Sequence, residues 1–174
     1  MYTQLCKTPS DINEHLPALA KLASECSHIT EMGVRYCVST WAFVEGMSVG
    51  KLIGVDIHHP SFYVQQGGAN SLYQVKEECA RKGIVYQFIE ANTLDVEIEP
   101  TDMLFIDTLH EGTQLRQELA LHSHKARKYI VLHDTVSCAE ELMPAVQEFV
   151  SRGTWQVHKH YENNNGLMIF TRCS

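Results

Sequence analysis

The chain has 174 residues, with 14 Lys and Arg against 21 Asp and Glu and a formal charge of -7, a length that fits one domain able to bury a core. No stretch gathers Lys and Arg into a patch that could neutralise phosphates, so no nucleic-acid partner is expected. No apolar run approaches the roughly 18 residues that span a bilayer, and no basic segment leads into a hydrophobic one, so a cytoplasmic protein without membrane contact is expected.

Thr8-Pro9-Ser10-Asp11 supplies capping residues ahead of Ile12, Leu16, Leu19, Leu22 and Ala23, whose spacing predicts an N-terminal helix reaching Cys26. Strands are predicted at His28–Met32, Lys51–Asp56, Ile84–Glu90, Met103–Asp107 and Tyr129–His133, and helices at Ser39–Met47, Ser71–Lys82, Thr113–Lys125 and Glu140–Arg152. Trp41 and Phe43 are expected in the core. Trp155–Tyr161 and Leu167–Thr171 flank Glu162-Asn163-Asn164-Asn165-Gly166, residues that accept left-handed backbone angles, and read as a β-hairpin.

Apolar strands alternating with helices imply right-handed crossovers and a buried parallel sheet. The expected fold is therefore α/β: a Rossmann-like three-layer sandwich whose mostly parallel seven-stranded sheet ends in an antiparallel hairpin. Residues 1–174 are read as a single domain, with the N-terminal helix in 1–27, β/α units in 28–153 and the hairpin in 154–174. Cys6, Cys26, Cys37, Cys79, Cys138 and Cys173 show no C-x-x-C spacing and read as reduced thiols.

Ligands of open parallel sheets gather at the C-terminal strand ends, so those positions are where chemistry is sought. After the first strand comes Glu31-Met32-Gly33-Val34-Arg35-Tyr36-Cys37-Val38-Ser39-Thr40. Gly33 allows close backbone approach, and Ser39 can cap a helix whose N–H groups face a ligand. One glycine where a dinucleotide fingerprint needs three argues against NAD. Asp56 closes the second strand, where a carboxylate can accept both hydroxyls of a ribose. Asp107 with His110, and His133 with Asp134, put carboxylates and imidazoles past the next two buried strands. They could serve as base and acid, or Asp107, His133 and Asp134 could converge on a divalent cation. His58 and His59 read as surface loop, and His122 and His124 are given no chemistry.

The spacing Glu31-x-Gly33-x-Arg35-x-x-x-Ser39-Thr40, then Asp56, then Phe105-Ile106-Asp107-x-x-His110, then His133-Asp134-Thr135 resembles the class I S-adenosylmethionine-dependent methyltransferases. It is most similar to a small O-methyltransferase-like branch with FIDxxH and HDT motifs (methyltransferase domain family 24-like). The resemblance implies S-adenosylmethionine held by Glu31, Gly33, Arg35, Ser39, Asp56, Ile57 on the adenine, Asn92 beside the adenine amino group, and Asp107. It also implies that His110, His133 and Asp134 face the substrate. Cys37 stands at a family glycine position, where a side chain is expected to narrow the turn; Asn92 replaces an aspartate, and Thr108-Leu109-His110 replaces Gly-Asp-His.

The resulting expectation is an enzyme that methylates a hydroxyl of a small molecule. His133 or His110 is its base, with an ordinary pKa near 6.5, assisted if needed by Mg2+ or another divalent cation on Asp107, His133 and Asp134. The alternative is a catalytically inactive S-adenosylmethionine-binding or partner-binding module of the same fold. Gly67-Gly68 suggests that the loop from His58 to Asn70 moves as a lid. With so little chain left to cover it, the pocket is open to completion by a second copy, as a homodimer.

Overall fold

The computed structural model describes residues 1–65 and 72–173. The chain opens with a one-turn helix α1 (Tyr2–Leu5) and a 3-10 turn (Asn13–His15) that runs into α2 (Leu16–Ala23). Then follow β1 (His28–Met32), α3 (Val38–Gly46), β2 (Gly50–Asp56), α4 (Pro60–Gln65), α5 (Leu72–Lys82), β3 (Ile84–Glu90), β4 (Thr101–Ile106) and α6 (Gly112–His122). The chain finishes with β5 (Ala126–His133), α7 (Ala139–Ser151), β6 (Trp155–Tyr161) and β7 (Leu167–Arg172).

The seven strands form one sheet in the order β3-β2-β1-β4-β5-β7-β6. Strands β1 to β5 run parallel, while β7 is antiparallel to both β5 and β6. This is the Rossmann-like, mostly parallel sheet with a terminal antiparallel hairpin that the sequence predicts. Period-two alternation divides each central strand between two cores. Met103 and Phe105 of β4 join Ile29, Leu52 and Phe43 beneath α2, α3 and α5. Leu104 and Ile106 join Ile130, Leu132, Leu115 and Phe149 beneath α6 and α7. Trp41 and Phe43 are buried as expected. Among the described residues, no helix is long and apolar enough to cross a membrane.

Several boundaries differ from expectation for local reasons. The N-terminal helix begins only at Leu16 because Pro17, lacking an N–H, belongs in a first turn, and Asn13–His15 coil more tightly ahead of it. β5 begins at Ala126, three residues early, because the exposed Arg127 and Lys128 interrupt its apolar signature. The stretch read as a loop after His58 is helical over Pro60–Gln65, with proline at the first helical position. Gly67-Gly68, and Ser71 as the start of α5, lie outside the described residues.

Candidate active site

The turn after β1 is built around two close approaches. Gly33 donates its N–H to the Val55 carbonyl at 2.9 Å, and Asp107 donates to the Met32 carbonyl at 2.8 Å, bringing the ends of β1, β2 and β4 together. Gly33 has φ +88°, and a Cβ there would lie 1.9 Å from the Asp107 carbonyl oxygen. Arg35 and Cys37 also take positive φ values, 43° and 62°. Alternating left-handed residues turn successive N–H groups to one side as an anion-binding nest. That nest is filled: the Val34 and Arg35 N–H groups each donate to Asp56 Oδ2 at 2.8 Å, and the His58 N–H donates to Oδ1 at 3.0 Å.

Cys37 does not narrow the turn as expected. Its left-handed backbone keeps the path a glycine would take, while its side chain is fully buried in the core under α3. Glu31 is also fully buried, accepting the Ser39 hydroxyl at 2.5 Å and the Thr40 hydroxyl at 2.8 Å. Burial pushes its pKa up to about 8, against the lowering effect of those two hydroxyls. Glu31 thus ties the first turn of α3 to β1 from below and lines neither cleft.

Two clefts open above this turn and share Gly33, Arg35, Asp107 and Thr108. The first, about 350 Å³, is walled by Ser10, Asp11, Ile12, Tyr36, Ser39, His110 and Asp134. The second, about 360 Å³, is walled by Asp56, Ile57, Tyr63, Asn92, Leu109 and Gln114.

An ionic cluster floors the first cleft. Asp134 Oδ2 lies 2.9 Å from both His110 Nε2 and His133 Nδ1. Asp107 Oδ1 lies 3.5 Å and 3.4 Å from the same two nitrogens. Asp134 takes φ +58° and accepts the Ser137 hydroxyl. On the far side of its ring, His133 Nε2 donates to the Asp11 carbonyl at 3.1 Å. Both nitrogens therefore donate, which makes His133 an imidazolium with no lone pair left. Burial would lower its pKa, but the bonds to Asp107 and Asp134 carry it up to about 10. Bonds to Asp107 and then Asp134 raise His110 to about 10 as well, so neither imidazole keeps the near-neutral pKa expected. Burial works to raise both carboxyl groups, yet the two histidines hold Asp107 and Asp134 below the usual range.

The N-terminal segment is clasped to the β6–β7 loop beside this cluster. Asn164 accepts the Glu14 N–H at 2.9 Å, donates to the Ser10 carbonyl at 2.8 Å, and takes the His15 Nε2–H on its own carbonyl at 3.0 Å. The buried His15 ring sits edge-on to His133 with centroids 5.8 Å apart. Burial first, and the His133 charge second, lower its pKa.

Of the residues singled out from sequence, Gly33, Arg35, Ser39, Asp56, Ile57, Asn92, Asp107, His110 and Asp134 line the two clefts. His133 reaches neither, its side chain being 1% exposed. Ser10, Asp11, Ile12, Tyr36, Tyr63, Thr108, Leu109 and Gln114 line the walls without having been foreseen. Only Gln114 left a usable signal, a polar residue in the first turn of a helix just past a strand end.

No family model matches the chain, and no curated protein does. Solved structures do. A Staphylococcus aureus protein assigned as a caffeoyl-CoA O-methyltransferase superposes with a TM-score of 0.71 at 14% identity, over 99% of this chain and 89% of that one. The N-methyltransferase NodS from Bradyrhizobium japonicum WM9, in complex with S-adenosyl-L-homocysteine, gives 0.65 at 10% identity over 99% and 97%. The O-methyltransferase TomG from Streptomyces achromogenes, in complex with S-adenosylmethionine, gives 0.58 at 14% identity over 96% and 82%. The chain has the methyltransferase fold. Both clefts lie at the C-terminal edge of that fold, around the β1–β4 junction where strand order reverses.

Proposed function

We propose that the chain is an S-adenosylmethionine-dependent methyltransferase acting on a hydroxyl of a compact small molecule. The observation that carries this is the pair of adjoining clefts: one suits a nucleoside, the other bears acid-base groups, and they meet at Gly33 and Asp107. Gly33 borders both clefts, which fits a cofactor lying against the turn. Ile57 and Leu109 offer apolar faces for a base, and Asp56 reaches the ribose position with part of its carboxylate already committed to the turn.

When bound, the cofactor supplies an electrophilic methyl group on a sulfonium. The chain's own contribution is chiefly to hold the acceptor in line, since near-attack geometry removes most of the entropic barrier of a displacement. His110 is the imidazole on the cleft wall and takes the proton from the acceptor hydroxyl once its own has left. Asp134 and Asp107 hold its ring. His133, sealed and cationic, is a positioning residue that fixes both carboxylates.

Asp107, His133 and Asp134 present donor atoms within 4.8 Å of one another, as do His110, Asp134 and Cys138. Mixed nitrogen and oxygen donors fit Mn2+ or Zn2+ better than Mg2+. A cation held there would polarise the acceptor hydroxyl, after His133 gave up its Nδ1 proton.

Calorimetry with S-adenosylhomocysteine, followed by labelled-methyl transfer to hydroxylated acceptors, tests the reading. Replacing His110 by Gln should leave product affinity within about twofold while cutting transfer by about 100-fold or more. Absence of any binding would refute the reading. Tight binding with no transfer at any pH would instead support a binding module without turnover, which the charged state of both imidazoles at neutral pH favours.

A further inference from the structure

Beside the ionic cluster stands a thiol that the proposed reaction does not use. Asp134 and Cys138 sit one turn apart on the connection from β5 to α7, where the Cys138 N–H donates to the Asp134 carbonyl at 3.0 Å. That turn is fixed from outside, because the Val136 and Ser137 N–H groups both donate to the Asn165 carbonyl, at 2.9 and 3.0 Å. The Ser137 hydroxyl engages Asp134 Oδ1, which leaves Oδ2 towards the histidines. His110 arrives from the loop between β4 and α6, its Nε2 2.9 Å from Asp134 Oδ2. The imidazole, the carboxylate and the half-buried thiol thus bring one donor atom each within 4.8 Å of one another.

With two ligands on one fixed turn and a third on a neighbouring loop, little order is left to impose when a cation binds. The donors select which cation. Thiolate and imidazole together favour Zn2+ over Mg2+, Ca2+ and Mn2+, and three protein ligands leave a fourth position for water. Tetrahedral zinc, with bonds of about 2.0 to 2.3 Å, sets its donors about 3.3 to 3.7 Å apart. The His110–Asp134 pair must then open slightly, and the widest pair must close by at most roughly 1.5 Å. The His110 side chain, 42% exposed on its loop, can make that movement. Asp107, His133 and Asp134 offer no sulfur, and the His133 ring is sealed between Asp134 and the Asp11 carbonyl.

We infer that His110, Asp134 and Cys138 form an inhibitory zinc site. Zn2+ displaces the His110 Nε2 proton and the Cys138 thiol proton, and both pass to solvent. With its Nε2 lone pair on the metal, His110 no longer takes a proton from the acceptor hydroxyl. The site stands on the geometry of its three donors, whereas the inhibition rests on the proposed function.

The experiment titrates Co2+, a spectroscopic stand-in for zinc, into the wild type, Cys138→Ala and Cys138→Ser under a thiol-free reductant. The wild type should develop a thiolate-to-cobalt charge-transfer band that added Zn2+ abolishes, and neither variant should show it. Zn2+ should bind the wild type about 100-fold or more tightly than either variant. Cys138→Ser is close in size to the wild type, so a packing defect in Cys138→Ala does not decide the outcome. Zn2+ should slow wild-type methyl transfer by about tenfold or more and either variant by less than about twofold, each against the same protein without metal. No band in the wild type, or a band that survives in both variants, overturns the site. Zinc that accelerates transfer, or that slows all three proteins equally, overturns the inhibition. A metal-free wild type that transfers no methyl group refutes the proposed function and with it the inhibition, while the cobalt band still decides the site.

Discussion

Replacing Gly33 by Ala tests the geometry on which the site depends. The new Cβ would lie 1.9 Å from the Asp107 carbonyl oxygen and 2.6 Å from its carbon, both backbone atoms. Moving from 1.9 Å to the roughly 3.5 Å of ordinary contact requires a retreat of about 1.6 Å. The left-handed φ adds about 1 to 2 kcal/mol and overpacking about 1 to 3, a destabilisation of about 2 to 5 kcal/mol. At about 2 to 4 °C per kcal/mol for a chain of this size, thermal unfolding should fall by about 4 to 20 °C. Gly153→Ala is the control, since Gly153 has φ +73° and a Cβ there would meet nothing within 4 Å, so it should show only the backbone contribution. The shift at position 33 also carries the Asp107 carboxylate away from His110 and His133, so methyl transfer should drop by about 100-fold even where the variant remains folded. Scanning calorimetry and product titration are the assays. A Gly33→Ala protein that melts no lower than Gly153→Ala and binds S-adenosylhomocysteine normally would refute the close approach.

Glu31 is protonated in the folded chain up to about pH 8 but only up to its ordinary 4.5 when unfolded, so the native state binds the extra proton between those values. Its contribution is fully present below the lower value and is lost as pH rises through the upper one. Glu31→Gln should flatten that part of the pH–stability curve, measured by urea midpoints, and an unchanged slope would place the titration elsewhere. With His110 raised to about 10, methyl transfer should climb with pH towards that value rather than level off near neutrality. A rate profile already flat above about pH 7.5 would exclude His110 as the base. Asn164→Ala removes two side-chain hydrogen bonds at a left-handed residue, φ +45°, and should destabilise by about 1 to 3 kcal/mol. It should raise KM for the acceptor with little change in product affinity, and an equal loss of both would show that the clasp supports the whole edge.

The sheet was legible because Met103-Leu104-Phe105-Ile106 and Ile130-Val131-Leu132 are apolar on both faces, as burial between two helical layers requires. Asp56, Asp107, His110 and Asp134 were legible for the same reason: each follows an apolar run closely, so the strand end places it. The protonation of the histidines was not. It depends on the Asp11 carbonyl meeting His133, and that contact spans 122 positions with no pattern in either segment to announce it. The orientation of Cys37 was hidden too, since a left-handed non-glycine residue leaves no trace in composition. Arg127 and Lys128 masked the start of β5 by standing on its solvent-exposed end.

The clasp at Asn164 joins segments 150 positions apart to wall the first cleft, whereas the nest around Asp56 is assembled wholly from β1, β2 and the turns that follow them. Under the proposed function, recognition of the two reactants would thereby be divided between separate parts of the sequence. Changes in residues 10–15 or in the β6–β7 loop would then alter which acceptor is taken while the turn around Asp56 keeps its form. The same division would give an engineer a short region in which to redirect the proposed activity, with S-adenosylhomocysteine affinity serving as an independent check that the rest has not been disturbed.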